Sequence, residues 1–203
     1  MNNNSAKKKP KVAMSYENWK IYSSYQYGGL IGLLMKYCHT KLENNLPEGN
    51  YNKILEIGPG PHSHIKYINH NYKQYYILEK AKKIASQLKK LNYNNIIVRI
   101  NKSNRIPFKK NFFDRIIISH VLEHVVNPEE FIFEAMSKLK KGGILSIALP
   151  TDPGLLWRLG RFYSKFFNII KKRKISPEKY DYINAKDHVN SIYNLYYIIK
   201  FNY

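Results

Sequence analysis

Short apolar runs alternate with amphipathic stretches between residues 51 and 150, and this alternation limits the fold more than any other feature of the chain. The runs are continuous, which is typical of strands that helices cover on both faces. Alternating strands and helices joined by right-handed crossovers favour a parallel sheet. We therefore expect an α/β, doubly wound, mainly parallel sheet in the order 3-2-1-4-5. Its five strands are predicted at Lys53–Ile57, Tyr75–Leu78, Asn95–Ile100, Arg115–Ser119 and Ile144–Leu149.

Two of the segments between the strands carry clear helix signals. The first, Lys80–Leu91, places three apolar side chains on one helical face. The second is predicted to begin with Asn127 as its N-cap and Pro128 in its first position. We expect it to continue through Lys141, with Gly142 in the left-handed position that follows many helices.

A glycine-containing turn follows the first predicted strand, where the chain reads Glu56-Ile57-Gly58-Pro59-Gly60. Glycines at the end of a parallel strand let the backbone approach a ligand closely, and the amides that follow can donate to an anionic group. The next strand ends at Glu79, where a carboxylate can accept hydrogen bonds from both ribose hydroxyls. These features indicate a nucleoside-containing ligand, although an ordinary strand-to-helix turn has the same glycines.

Four later motifs make the pattern more specific: Ile106–Phe108, Phe113–Ser119, Leu122–Val125 and Leu139–Gly143. In order and spacing, from Ile54 to Pro150, the chain resembles the class I SAM-dependent methyltransferases, and among them the type 11-like domains. The resemblance implies a Rossmann-like fold and S-adenosyl-L-methionine (SAM) as the cofactor. It also implies in-line methyl transfer to a small-molecule, sugar or lipid-linked acceptor.

The resemblance also assigns roles to individual residues. Those expected to bind SAM are Glu56, Gly58 and Gly60 at the methionine part, Glu79 at the ribose, Lys102 and Ser103 at the adenine, and Ser119 and His120 beside the sulfonium. His124 is expected just behind them. Methyl transfer needs at most one base besides correct positioning, and His120 is the candidate for that catalytic role.

Two positions depart from the family pattern. His62 occupies the place of a third glycine and brings bulk to the amino-acid end of the cofactor, next to Pro61, which lacks an amide donor. Lys102 stands at a position where the family commonly has an acid. These departures suggest a weakened SAM site. The alternative function is therefore a non-catalytic methyltransferase-like remnant that binds a partner or a membrane surface.

The histidines of the chain allow two other interpretations, a zinc site and a catalytic base cluster. His120 and His124 fit the H-x-x-E-H pattern of zinc proteases. Because His120 directly follows a predicted strand, we expect the two imidazoles not to converge, and no metal is predicted. A base cluster of His62, His64, His70 and Asp114 is disfavoured, since Asp114 is expected to fix the start of its strand.

The chain is strongly basic, with 34 Lys and Arg against 14 Asp and Glu and a net charge of +20. A/T-rich codons can account for much of the lysine content but not for the small number of carboxylates, so a functional charge and genome composition stay alternatives. A functional charge would favour anionic partners. The segment Leu155–Lys174 has an apolar face opposite Arg158, Arg161 and Lys165, typical of a lid helix or of a helix on an anionic membrane surface. Nucleic acid is disfavoured as a partner, because the chain has no base-methylation motif and no RNA-binding module.

We divide the chain into a basic flexible tail at 1–14, a helical lead-in at 15–50, a SAM-binding core at 51–150, and an amphipathic lid with a final helix at 151–203. The single cysteine, Cys38, excludes an internal disulfide and favours a cytoplasmic protein, in a soluble or a peripheral membrane form. After the final helix, Ser191–Lys200, no residues remain for the two strands that usually complete the family fold. A truncated domain of this kind would expose its fifth strand and self-associate through it.

Overall fold

The computed structural model describes residues 29–103, 105–150 and 188–202, together with positions 159, 162, 163, 182, 185 and 186. Its strands are β1 (Lys53–Ile57), β2 (Gln74–Glu79), β3 (Ile96–Ile100), β4 (Phe113–Ser119) and β5 (Leu139–Ala148). Its helices are α1 (Gly29–Asn44), α2 (Lys82–Leu88), α3 (Pro128–Lys138) and α4 (Ile192–Asn202). Two 3₁₀ turns, His64–Tyr67 and Leu122–His124, follow β1 and β4.

The five strands form one parallel sheet in the order β3-β2-β1-β4-β5, which confirms the predicted fold class. Glu56 on β1 is in register with Ile77 on β2 and Ile117 on β4. Because β1 lies between β2 and β4 and all three strands are parallel, the loops that follow them lie side by side at the carboxyl edge of the sheet. In open α/β sheets, ligands bind outside this carboxyl edge.

Both faces of the three central strands are buried, which explains why the apolar runs are continuous. On one face the core includes Leu55, Tyr76 and Ile116. On the other it includes Ile54 and Ile77, and all of these side chains are at most 6% exposed. Helices therefore cover the sheet from both sides, as the strand composition predicts.

The boundary between α3 and β5 differs from the prediction. Asn127 caps α3 as expected, accepting from the backbone N–H of Glu130, but the helix ends at Lys138. Leu139 is already extended, at φ −72° and ψ 143°, and it pairs with Phe113 on β4. Both side chains are buried, so this strand pairing replaces the last helical turn.

Gly142 has the positive φ that the sequence suggested, +77°, but it lies within β5 and not after a helix. The pairing of β5 with β4 shifts register here, between the partners of Phe113 and Arg115. Lys140 leaves the helix as well, and its ammonium lies 2.7 Å from the Asp114 carboxylate. The helix therefore ends three residues earlier than its basic residues indicated.

The predicted final helix is present as α4, with Leu195 buried and Tyr196, expected on the same face, 51% exposed.

The basic tail at 1–14 lies outside the described residues. Of Leu155–Lys174 only positions 159, 162 and 163 are described; they are helical, and Leu159 and Phe162 are 55% and 71% exposed. No helix among the described residues has both the length and the apolar character needed to cross a membrane.

Candidate functional site

The turn after β1 depends on glycine at two positions. Gly58 and Gly60 have φ angles of +62° and +60°, in the left-handed region that side chains disfavour. The N–H of Gly58 donates to the carbonyl of Leu78 on β2 over 2.8 Å, which holds the turn against the neighbouring strand. A Cβ at Gly58 would lie 3.0 Å from the Val121 side chain beyond β4. The positive φ angle and the nearby Val121 side chain therefore both require glycine at position 58.

The buried carboxylate of Glu56 stabilises this turn. This carboxylate is 1% exposed and accepts hydrogen bonds from the hydroxyl of Ser63, from the backbone N–H of His64 at 2.6 Å and from the hydroxyl of Tyr75 at 3.0 Å. Burial raises the pKa of the Glu56 carboxyl, while these hydrogen bonds act in the opposite direction. The three donors bind the turn, the following 3₁₀ segment and β2 to one buried group.

Glu79 lies at the tip of β2, next to the glycine turn, as the sequence predicts. One carboxylate oxygen accepts from the N–H of Gly60 at 3.2 Å, and the other accepts from the N–H of Ala81 at 2.8 Å. The residue is 6% exposed, and burial raises its pKa. The structure thus brings Gly58, Gly60 and Glu79 together at the carboxyl edge of β1 and β2.

Lys102 and Ser103 lie on an exposed loop after β3. The loop is shaped by Asn101, which the sequence analysis did not single out. Its side-chain amide donates to the carbonyls of Ser103 and Arg105 at 3.1 and 2.5 Å, and its side-chain oxygen accepts from the N–H of Ser103 at 3.2 Å. Asparagine side chains commonly stabilise such local turns, and this preference could have identified Asn101 from the sequence.

Ser119 and His120 end β4 at the same edge of the sheet. His120 has φ +55°, a strained value for a residue with a side chain, and its N–H donates to the carbonyl of Ala148 on β5 at 3.0 Å. Within the described part of the chain, the buried atoms Ser119 Oγ and His120 Nε2 have no hydrogen-bond partner. Burial, together with the charges of nearby His124 and His188, lowers the pKa of His120 to about 4.

A buried polar network, missed in the sequence, connects this site to α1. Glu43 on α1 accepts from Arg115 on β4 and hydrogen-bonds His64 Nε2, each at 2.6 Å. Nδ1 of His64 in turn lies 2.8 Å from Nδ1 of His39. Burial alone would raise the pKa of Glu43, but the hydrogen bond to His64 and the charge of Arg115 outweigh it and hold the pKa below its usual value. Because His64 also donates its backbone N–H to Glu56, α1 is coupled to the glycine turn.

Two other expectations are clarified by the geometry. Asp114 accepts from the backbone N–H of Lys53 at 2.8 Å, so it fixes the start of β4 against β1, as predicted. His62 is partly buried, and its pKa is lowered to about 4 by burial and by the charge of Lys66. Its imidazole is therefore neutral near pH 7. It brings no positive charge to the segment that follows the turn.

These residues fit a cofactor that joins an amino acid to a nucleoside. The positive-φ glycine turn lies at the carboxyl end of β1, and the Glu79 carboxylate lies at the adjacent strand tip. Ser119 Oγ and His120 Nε2 add two buried polar atoms at the end of β4. Such orphaned groups are costly unless a ligand or solvent satisfies them. The fold is of the Rossmann-like type, and the groups at its carboxyl edge have the chemistry needed to hold a nucleoside.

Comparison with known proteins points to the same family as the sequence motifs. The family model described as a methyltransferase domain matches residues 55–147. This match confirms the resemblance to the class I SAM-dependent methyltransferases that was seen in the sequence.

Of two relatives that match the chain, one is uncharacterised and the other is a methyltransferase. An uncharacterised protein of Methanocaldococcus jannaschii is 27% identical over 187 residues, covering 91% of this chain and 78% of that protein. The protein-L-isoaspartate O-methyltransferase of Ignicoccus hospitalis is 29% identical over 135 residues, and the match covers 63% of this chain and only 56% of that enzyme.

Among solved structures, the plantazolicin methyltransferase BpumL in complex with SAH has a TM-score of 0.65 at 13% identity, covering 93% of this chain and 70% of that one. A SAM-dependent methyltransferase of Aquifex aeolicus has a TM-score of 0.54 at 15% identity, covering 90% and 85%. At these identities the likeness shows the shared fold.

Proposed function

We propose that the chain binds SAM across the Gly58–Gly60 turn and transfers its methyl group to a small-molecule, sugar or lipid-linked acceptor. The observation that carries the proposal is the contact between the Glu79 carboxylate and the N–H of Gly60, which joins the tip of β2 to the turn after β1. An acid in this position next to a glycine turn is typical of sites that bind a ribose.

Glu79 is proposed to hold the ribose hydroxyls. A carboxylate has about four acceptor positions, and the two backbone donors leave others for a ligand. Lys102 and Ser103, on the loop shaped by Asn101, are proposed to line the adenine. The glycine turn is proposed to lie against the methionine part, with Glu56 holding the turn in shape from the buried side.

Bound SAM supplies a methyl group that its sulfonium already activates, so the residues of the chain contribute mainly position and exclusion of water. Ser119 and His120 are proposed to lie beside the transferred group. Since the His120 pKa is about 4, its imidazole is neutral near pH 7 and is a weak base. We propose that the His120 imidazole accepts a hydrogen bond from the methyl-accepting substrate and so orients that substrate for in-line attack.

The second candidate function is a methyltransferase-like protein that binds a partner or an anionic membrane surface without turnover. His62 favours it, because a partly buried histidine stands where the resemblance implies a third glycine. The intact set of Glu56, Gly58, Gly60 and Glu79 favours the enzyme. For the membrane surface, Leu155–Lys174 is the proposed contact.

Calorimetric titration of the full chain with SAM and SAH tests the proposal. We expect one SAM site, and Glu79→Ala should lose about 1.5–3 kcal/mol of binding free energy, the range for hydrogen bonds to charged groups. Glu48→Ala, at an exposed position away from the site, is the matched control and should bind as the wild type does. Equal binding by Glu79→Ala would refute the assigned site. SAM binding without SAM consumption on any acceptor would favour the second candidate.

A further inference from the structure

The 3₁₀ turn after β4 is joined to a distant segment of the chain. The backbone N–H groups of Val189 and Asn190 donate to the carbonyl of Glu123 at 2.8 and 3.2 Å. The side-chain amide of Asn190 donates to the carbonyls of Leu122 and Val125 at 3.0 and 2.6 Å. Four hydrogen bonds therefore hold residues 188–190 against the turn Leu122–His124.

This attachment places His188 beside Glu123 and His124. The rings of His124 and His188 are 5.0 Å apart at an angle of 81°. His124 Nε2 lies 3.9 Å from a carboxylate oxygen of Glu123. One potential ligand atom from each of the three residues lies within 4.8 Å of the other two. The group differs from the pair considered in the sequence, because its second imidazole comes from His188 and not from His120.

We propose that Glu123, His124 and His188 bind a divalent first-row transition metal ion such as Zn²⁺. Two imidazoles and one carboxylate are a ligand set that suits such ions. Metal–ligand distances of about 2.0–2.2 Å put neighbouring ligand atoms roughly 3.4 Å apart in a tetrahedral site. From separations within 4.8 Å, the described group needs to contract by up to about 1.4 Å. Rotation of the exposed His124 side chain can shorten its distances to the other two ligands.

The surroundings of the group favour a site with an open coordination position. Glu123 is 2% exposed, His188 is intermediate and the His124 side chain is 43% exposed. A site with three protein ligands and one accessible side leaves a position for water or another small ligand. The Glu123 carboxylate also lies 3.9 Å from His120 Nδ1, so the ion would lie near the carboxyl end of β4.

Metal binding by the full chain tests this inference without reference to methyl transfer. Chain treated with EDTA is titrated with Zn²⁺ by calorimetry and with Co²⁺ by absorption spectroscopy. We expect one equivalent of each ion, and Co²⁺ d–d bands that Zn²⁺ displaces. His188→Ala and His124→Ala should each weaken binding about tenfold or more, because each removes one of three ligands.

His62→Ala is the matched control, since it removes a partly buried histidine that is not one of the three proposed ligands. It should retain the wild-type affinity. Circular dichroism verifies that each variant is folded, and His124→Ala, at an exposed side chain, should fold even where a buried substitution does not. Absence of stoichiometric binding, or equal losses in the control and the ligand variants, would overturn the proposal. SAM affinity is measured separately, so failure of one proposal does not imply failure of the other.

Discussion

Arg115 on β4 donates from Nη1 to Oε1 of Glu43 on α1 over 2.6 Å, and both side chains are buried. The guanidinium also donates from Nε to the hydroxyl of Ser146 on β5 and from Nη2 to the carbonyl of Leu42. This group of contacts joins α1 to two strands of the sheet. A buried charge that is paired in this way is strongly destabilising when one partner is removed.

The first prediction concerns this ion pair. Arg115→Met should lower the free energy of unfolding by about 3–5 kcal/mol, because Glu43 would remain buried without its positive partner. Lys140→Met, which breaks the exposed pair with Asp114, is the matched comparison and should cost at most about 1 kcal/mol. Urea unfolding measures both variants. Similar losses for the two would show that the buried pair has no special role.

The second prediction concerns the glycine turn. Gly58→Ala combines positive-φ strain, about 1–2 kcal/mol, with a Cβ only 3.0 Å from Val121. At Gly142 φ is also positive, but a Cβ meets nothing within 4 Å, so Gly142→Ala carries the strain alone. We expect Gly58→Ala to unfold at lower urea concentration than Gly142→Ala and to bind SAM more weakly. Equal stability would mean that Val121 moves without cost.

The third prediction concerns the support of Glu56. Tyr75→Phe removes one of its three hydrogen-bond donors in the buried interior and should cost about 1–3 kcal/mol. Tyr72→Phe is the comparison, because its hydroxyl makes only a 3.4 Å contact at an exposed position, and it should change stability by about 0.5 kcal/mol or less. Thermal unfolding of the two variants is the measurement, and a larger loss in Tyr72→Phe would contradict the prediction.

The fourth prediction concerns acid stability. Burial and the charges of nearby His64 and His120 lower the pKa of His39 from 6.5 to about 3. Between these values the unfolded chain binds more protons than the folded protein, so stability rises with pH. The contribution is complete above pH 6.5 and is lost as pH falls towards 3, by up to about 1.4 kcal/mol per unit.

Urea unfolding at several pH values between 7 and 5 tests this dependence. His39→Gln removes the titrating ring and should give a shallower loss of stability with acid. An unchanged slope in that variant would show that His39 is not a source of the pH dependence.

The fifth prediction concerns the basic amphipathic segment Leu155–Lys174. If it binds an anionic surface, the chain should float with liposomes that contain anionic lipid, and added salt should weaken the association. Reversing the charges of Arg158, Arg161 and Lys165 should abolish flotation. Neutral liposomes are the control. No flotation with any lipid composition would leave only the lid interpretation.

Most of the sheet could be predicted because its information is local. β1 is observed with the predicted bounds, and β4 extends the predicted strand by two residues, since continuous runs of Ile and Leu reflect burial on both faces. The end of α3 could not be predicted in this way. Gly142 fits a helix terminus and an irregular strand equally well, and the choice depends on the pairing of Leu139 with Phe113 across the sheet.

The site shows the same division between local and distant information. Gly58, Gly60 and Glu79 follow from their positions after predicted strands, and the structure brings them together. The contact of Glu43 with Arg115 joins residues 72 positions apart and has no local signature. The approach of His188 to His124 likewise depends on hydrogen bonds made by Asn190, so only the folded chain reveals it.

The Glu43–Arg115 contact has a practical consequence for dissecting the chain. The recognised family domain covers residues 55–147, and a fragment cut to those limits would contain Arg115 without α1. Its guanidinium, fully enclosed in the intact fold, would then face the interior without a carboxylate. The smallest fragment suitable for expression therefore has to retain α1, even though that helix lies outside the segment by which the family is recognised.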